Sequence, residues 1–453
     1  MSQGSNDGPD EAEEAFVLKR SLLAVPLVAA LLAGALTGCA APADDDNTIT
    51  YWASNQGKNA AQDREILGEE LAEFTARTGI EVKLEVIGWS DLLNRILGAA
   101  TSGVGPDVVN LGNTWAASLQ ATGAFVPFDD ALMNRFGGRD RFLDSSMSST
   151  GMPGQPPASL PLYGLSYGLF YNKKLFAEAG ITEPPKDWRE FIDTAERLTD
   201  PARGRWGLTV PGASYTENAH FAFMFGRQEG THLIDERGSP SFASPEAVAA
   251  VQRYIDLMAS AGVVDPDDAE EGNSSGAAAD FVDGDAAMLI AQNSVIPTLH
   301  DNGMAEADYG VVPMPVPDPL PPGGRAVRSH VAGSNVAVFA DSPRREQALK
   351  LVEFLTSKEV QASLNEKYGT LPVVEDAYAD PAFHTPKNQV FSEVLAGGSE
   401  TVPMIPNEAH FETTVGAAMR DLFAATATGR PPGAEDVREA LAEAEQKMRG
   451  TGG

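Results

Sequence analysis

The chain has 453 residues, 43% of them hydrophobic, with 64 acidic against 33 basic side chains and a formal charge of −31. A surface this acidic repels nucleic acid and anionic lipid, which excludes charge-driven binding to either. The single cysteine excludes an internal disulfide and a cysteine-built zinc site, and the length favours two lobes or domains around a large core.

The first predicted element is a leader. Residues 21–36, SLLAVPLVAALLAGAL, form an apolar run preceded by Lys19 and Arg20 and followed by the small residues Thr37 and Gly38. Charged, apolar and small-residue regions in that order are a secretory signal. The run is short for a membrane span and has no basic flank after it. Leu36-Thr37-Gly38-Cys39 resembles the lipobox of bacterial lipoproteins, which implies a diacylglycerol on Cys39 and cleavage just before it. Residues 1–38 then form leader and signal peptide, and 39–47 an acidic tether. Their loss removes five acids and two bases and leaves 59 against 31, so the remainder stays strongly acidic. The acidic stretch 1–16 is an unusual lead-in, and Val17, directly before Leu18-Lys19-Arg20, is an alternative start.

Beyond the tether, TITYWA (48–53) reads as a strand, and Ile66, Leu67, Leu71 and Phe74 mark one face of a helix over 62–77 that Gly79 stops. IEVKLEVI (80–87) alternates with period two. Ser90 is placed as the cap of a helix bearing Leu92, Leu93, Ile96 and Leu97, with Trp89 as its apolar staple. Asp107–Leu111 is a third strand and Thr114–Gln120 is helical. This alternation predicts a parallel α/β lobe. A strand over 160–171 precedes helices at Lys173–Ala179 and in EPPKDWREFIDTAERLT. SPEAVAAVQRYIDLMASAG is a helix with Ser244 as cap, Pro245 in the first turn and Gly262 as stop. The proline-rich stretch 311–325 is loop or edge strand. NVAVFADS is a strand, PRREQALKLVEFLTS a helix entered through Ser342-Pro343, and 434–448 a charged helix. Trp52, Trp188 and Trp206 read as core.

Two motifs invite other readings. Gly164-Leu165-Ser166-Tyr167-Gly168 fits the G-x-S-x-G nucleophile elbow of esterases. The elbow needs a helix directly after the serine, whereas GLFY continues as strand. DPDDAEEG (265–272) has Ala269 and Glu270 where a calcium loop needs Asp or Asn and then Gly, so it reads as a solvated acidic loop. No P-loop, dinucleotide motif or Cys/His cluster is found, so no cofactor or metal is expected.

GPDVVNLGNTW (105–115), LPLYGLSYGLFYNKKLFAEAGI (160–181), ADFVDGDAAMLI (279–290), AGSNVAVF (332–339) and YGTLPV (368–373) stand in the order found in family 1 extracellular solute-binding proteins, the capture subunits of ABC importers. The chain resembles the sugar-binding members from about residue 48 to 448. The resemblance implies two α/β lobes joined by three hinge crossings near 163–167, 329–333 and 369–374. The N-lobe is then 47–163 with 333–369, and the C-lobe 167–329 with 374–448. It also implies a monomeric, lipid-anchored capture subunit on the outer face of the cytoplasmic membrane. A sugar or polyol is held between the lobes, and permease subunits are the partners.

Sugar sites use flat aromatic faces and planar polar groups, placed on loops at strand C-termini or at crossings. Asn55 and Gln56 follow the first strand, and Asn113 and Trp115 the third. Tyr163 and Tyr167 flank the first crossing. Tyr215, with Glu217 beside it, matches a position where relatives present an aromatic. Ser294, His330, Ser334, Asn335, Glu408 and His410 fall in segments that line the cleft in relatives. Many sugar binders carry Asp and Arg in the stretch that reads Leu165-Ser166-Tyr167 here, and Trp where Ser294 and Ser334 stand. This chain has neither, which leaves the ligand class open.

Overall fold

The computed structural model describes residues 47–450 apart from Glu236. The leader, Cys39 and the tether up to Asp46 lie outside the described residues.

Three strands run parallel at the start. They are β1 (Thr48–Ser54), β2 (Glu81–Ile87) and β3 (Val108–Gly112), linked by helices Ala60–Thr78 and Trp89–Ser102. Asn59 caps the first helix by accepting from the Ala61 and Gln62 amides, and Gly79 ends it in the left-handed conformation. The second helix starts two residues earlier than expected. Its cap is Gly88, which makes no side-chain capping bond, and Trp89 is its first residue.

The stretch read as one strand over 160–171 is two. β4 (Leu160–Leu165) and β5 (Tyr167–Asn172) are separated by Ser166 and belong to different sheets. β4 joins a five-stranded sheet of order β2-β1-β3-β9-β4, where β9 (Ala332–Val338) is antiparallel to β3 and β4. β5 joins a three-stranded antiparallel sheet of order β6-β5-β7, with β6 (Met288–Gln292) and β7 (Tyr309–Val312). β8 (Ser329–His330), just before β9 in the chain, forms a short parallel pair with β10 (Ser399–Glu400). The fold is therefore α/β with two lobes, and the chain passes from one sheet to the other at Ser166 and again at Val331.

The first lobe buries Ile49, Tyr51, Phe74, Val336 and Leu351 around its sheet. The third passage lies near Leu371, which bridges Gly164, while Val373, Val374 and Ala377 still pack in the first lobe's core. The second lobe is mostly helical. Helices Tyr215–Glu229, Pro245–Ala259, Glu408–Ala427 and Ala434–Gly450 pack on one another beside the three-stranded sheet. Ser244 caps the second of these as expected, accepting from the Ala247 amide. Gly416 allows the Glu408–Ala427 helix to cross close to Tyr215, since a Cβ there would stand 1.8 Å from the Tyr215 carbonyl oxygen. Trp52, Trp188 and Trp206 are half-buried rather than fully enclosed.

Candidate functional site

The C-terminal ends of β1, β2 and β3 point the same way, so the loops after them share one edge of the first lobe. That edge faces the second lobe across a cleft of about 600 Å³, within the range of small-molecule sites. The first lobe contributes Asn55, Gln56 and Lys58 after β1, Trp89 and Ser90 after β2, and Asn113, Thr114 and Trp115 after β3. The second lobe contributes Ser214 to Glu217 and His220, the 272–275 loop, Gln292, Ser294 and Glu412. Leu165, His330 and Gly333 line the side where the chain crosses.

Three loops of this cleft are each held by one carboxylate. Asp63, fully buried, accepts from the Gln56 and Gly57 amides at 3.1 and 2.8 Å and from the Asn55 side chain. Burial pushes its carboxyl up from the usual range. Glu217 accepts from the Ser274 amide at 2.9 Å and from the Ser274 hydroxyl, and so pins the 272–275 loop; burial raises its pKa too. Glu412 accepts from Thr114 Oγ1 and, at 2.6 Å, from Trp115 Nε1.

The aromatic groups divide by freedom. Trp115 is 2% exposed and hydrogen-bonded through its indole. A Cβ on Gly112 would come within 3.0 Å of its ring, so only glycine lets the ring lie there. Trp89 is half-buried and meets Trp115 edge-on, with centroids 5.6 Å apart. Tyr215 is also half-buried, and burial and then the nearby Glu412 charge push its hydroxyl up to about 12. Behind them His220 stacks on His330 at 3.9 Å, and His220 Nδ1 stands 3.1 Å from the Tyr167 hydroxyl. His330 is 1% exposed, and burial, then the neighbouring imidazole, hold its pKa well below the usual histidine value. Its Nδ1 and the Gln56 Oε1 find no partner among the described residues. Both residues line the cleft.

Of the residues singled out from the sequence, Asn55, Gln56, Asn113, Trp115, Tyr215, Glu217, Ser294 and His330 come together here. Six others do not line it. Tyr163 is in the core of the first lobe, edge-on to Tyr368 at 5.5 Å. Ser334 and Asn335 are buried in β9, where Asn335 Nδ2 donates to the Ser149 carbonyl at 2.8 Å. Tyr167 is one layer behind the cleft. Glu408 and His410 are in the first turn of the Glu408–Ala427 helix and not in a loop; Glu408 is buried and His410 faces outward.

Trp89, His220, Thr114, Asn273, Gln292 and Glu412 were missed. The sequence makes Trp89 a staple before the helix, but it is the first helical residue, and that turn presents it to the cleft. Ser166 is not placed as an elbow. It lies fully buried in extended chain, its hydroxyl donates to the Phe391 carbonyl at 2.9 Å, and the next helix begins at Lys173.

A family profile described as bacterial extracellular solute-binding protein matches residues 55–362. The chain belongs to that family. Relatives of this solute-binding protein include the diacetylchitobiose binding protein of Streptomyces coelicolor, 25% identical, covering 87% of this chain and 91% of the relative. Another is the erythritol/L-threitol-binding protein of Mycolicibacterium smegmatis, also 25% identical, covering 78% of each chain. Among solved structures, a solute-binding protein of Thermotoga lettingae bound with α-D-tagatose superposes with a TM-score of 0.76 at 22% identity, covering 88% of this chain and 99% of the other. One from Agrobacterium radiobacter in complex with ribitol gives 0.74 at 24% identity, covering 89% and 98%. At such identity the structural likeness establishes the two-lobed fold.

Proposed function

We propose that the chain is the capture subunit of an ABC importer and binds a neutral, hydroxyl-rich solute, a sugar or polyol, between its lobes. The observation that carries this reading is the chemistry of the cleft. Half-buried aromatic faces, Trp89 and Tyr215, stand among amides and hydroxyls from Gln56, Asn273, Ser275, Gln292 and Ser294. Aromatic faces take the C–H side of a sugar ring, and planar amides take its hydroxyls. Among the described residues the lining holds one lysine, Lys58, engaged by Asp301 at 2.7 Å, and no arginine, so the cleft offers a phosphate or carboxylate no free lysine or arginine. Two of the relatives are named for diacetylchitobiose and for erythritol/L-threitol, which agrees with this class. Contacts on both lobes exist together only when the cleft is closed, so the ligand favours closure.

The lobes are taken as 47–163 with 333–369 and 167–329 with 374–448, except that Val374 and Ala377 pack in the core of the first lobe. Lipidation at Cys39 holds the chain at the outer face of the membrane as a monomer, and the permease and ATP-hydrolysing subunits are separate chains. A Cys39→Ala chain is expected to lack lipid and to leave the membrane fraction; lipid still attached would refute the anchor. For the ligand, the test is a thermal-shift screen of neutral sugars, polyols, sugar phosphates and sugar acids, followed by calorimetry. A ligand at 100 times its Kd adds about 2.7 kcal/mol of stability. A peptide, metal ion or sugar phosphate as the tightest ligand would overturn the reading.

A further inference from the structure

Glu412 lies one turn into the Glu408–Ala427 helix of the second lobe and is 1% exposed. Both groups that donate to its carboxylate, the Thr114 hydroxyl and the Trp115 indole, belong to the first lobe. From the same helix turn, the Ala409 amide donates to Ser118 Oγ of the first lobe at 3.0 Å. On its other side Glu412 Oε1 is 3.7 Å from His220 Nε2. His220 stacks on His330 and meets the Tyr167 hydroxyl. Tyr167 and His330 each adjoin a residue at which the chain crosses between lobes. One carboxylate therefore joins the loop after β3, across the cleft, to two of the crossings.

We propose that Glu412 is the positioning residue that sets closure of the cleft. It holds the Trp115 loop against the second lobe through bonds made wholly within this chain, so part of the closing equilibrium is supplied by the protein and only the remainder by the solute. This rests on the interlobe cleft of the proposed function and not on which solute fills it. The chemistry suits the role. Hydrogen bonds to a carboxylate away from water are strong, and in the open arrangement water takes them over. A hydrogen bond to a charged group shifts such an equilibrium by about 10- to 100-fold. Glutamine weakens both bonds by removing the charge: its amide oxygen can still accept from the Trp115 indole and its NH₂ can donate to the Thr114 hydroxyl oxygen, but neither bond is then to a carboxylate. The close helix crossing at Gly416 brings the carboxylate within reach.

The test uses the full chain without added solute. Small-angle X-ray scattering and thermal unfolding are recorded for the wild type and for Glu412→Gln, Thr114→Val and Trp115→Phe. The last keeps an aromatic ring and deletes the indole donor. The expected result is a larger radius of gyration in each variant, with a red shift of tryptophan emission in the Glu412 and Thr114 variants. An unchanged radius would overturn the proposal. So would a lowered Tm with an unchanged radius, which is what a merely structural glutamate gives. Should Glu412→Gln fail to fold, Thr114→Val and Trp115→Phe decide by the same criterion. Failure of every sugar and polyol in the ligand screen, with the radius shifts present, would remove the ligand reading and leave this one standing.

Discussion

Trp115 and Trp89 touch, yet their substitutions should separate stability from binding. Trp115 is enclosed, packed over Gly112 and bonded by Glu412, so truncation opens a cavity. Trp115→Ala should cost about 3–5 kcal/mol of stability, read by denaturant unfolding. Trp89 is half-exposed at a helix start. Trp89→Ala should keep the fold and weaken ligand binding by about 2–4 kcal/mol, read by calorimetry. Normal binding by Trp89→Ala would move the stacking surface elsewhere, to Tyr215 first. Glu408 gives a different residue-scale prediction. It is fully buried, neither oxygen has a partner among the described residues, and burial and then the Glu412 charge push its pKa well up. Below its unfolded pKa of about 4.3 the group is neutral in both states and carries no charge penalty. As pH rises from there toward the raised folded value, the folded state binds more protons than the unfolded. Stability then falls by about 1.4 kcal/mol per pH unit for a full proton difference. Glu408→Gln should therefore raise Tm, by little at pH 4 and by more at pH 7. A gain independent of pH would show that Glu408 does not titrate this way.

At the scale of elements, the sequence was legible where apolar period and caps coincide. Helix Ala60–Thr78 and helix Pro245–Ala259 carry both. Helix Tyr215–Glu229 was not legible. Its stretch FAFMFG is apolar on every side, because the helix is buried all round, and period-based reading needs a polar face. Helix Glu408–Ala427 does carry a signal in Phe411, Val415, Met419 and Phe423, spaced by four. The break at Ser166 is not marked in the apolar pattern, which runs on as one strand; the resemblance alone puts a crossing near 163–167, and pairing of the two halves with different sheets locates it at Ser166. The same limit hid the cleft's carboxylates. Asp63 and Glu412 act on residues 6 to 8 and about 300 positions away, and only the fold brings the second pair together. Asp63 supplies the test at this scale. Asp63→Ala removes the acceptor of two amides and one side chain, and each donor left buried costs about 1–3 kcal/mol. The Gln56 and Gly57 amides should then exchange faster with solvent and ligand binding should weaken, while helix content stays. Unchanged exchange at those two amides would show that the loop holds itself.

At the scale of the whole molecule, asparagines tie the crossings together. Asn113 Nδ2 donates to the Val331 carbonyl at 2.7 Å, while Asn293 accepts from the Ser166 amide and donates to the Gly369 carbonyl at 3.0 and 2.9 Å. The Tyr167 amide donates to Ser329 Oγ at 3.1 Å, so the three crossings form one connected strip, which suits rotation of two rigid lobes about a common line. Against that strip, cross-lobe contacts differ in worth according to burial. Lys58 of the first lobe meets Asp301 of the second at 2.7 Å, but both side chains are about two-fifths exposed, 41% and 38%. Water and salt screen such a pair, and exposed pairs contribute roughly 0–1 kcal/mol. The buried bonds of Glu412 are not screened in this way. Lys58→Ala should therefore change ligand affinity by no more than about fivefold, and that small loss should vanish as sodium chloride rises toward 1 M. Glu412→Gln should keep its larger effect at high salt. Calorimetric titration of both variants at low and high salt measures the contrast. A Lys58→Ala loss as large as that of Glu412→Gln, and resistant to salt, would mean that Lys58 contacts the solute itself. The ligand would then carry an acceptor at the rim of the cleft.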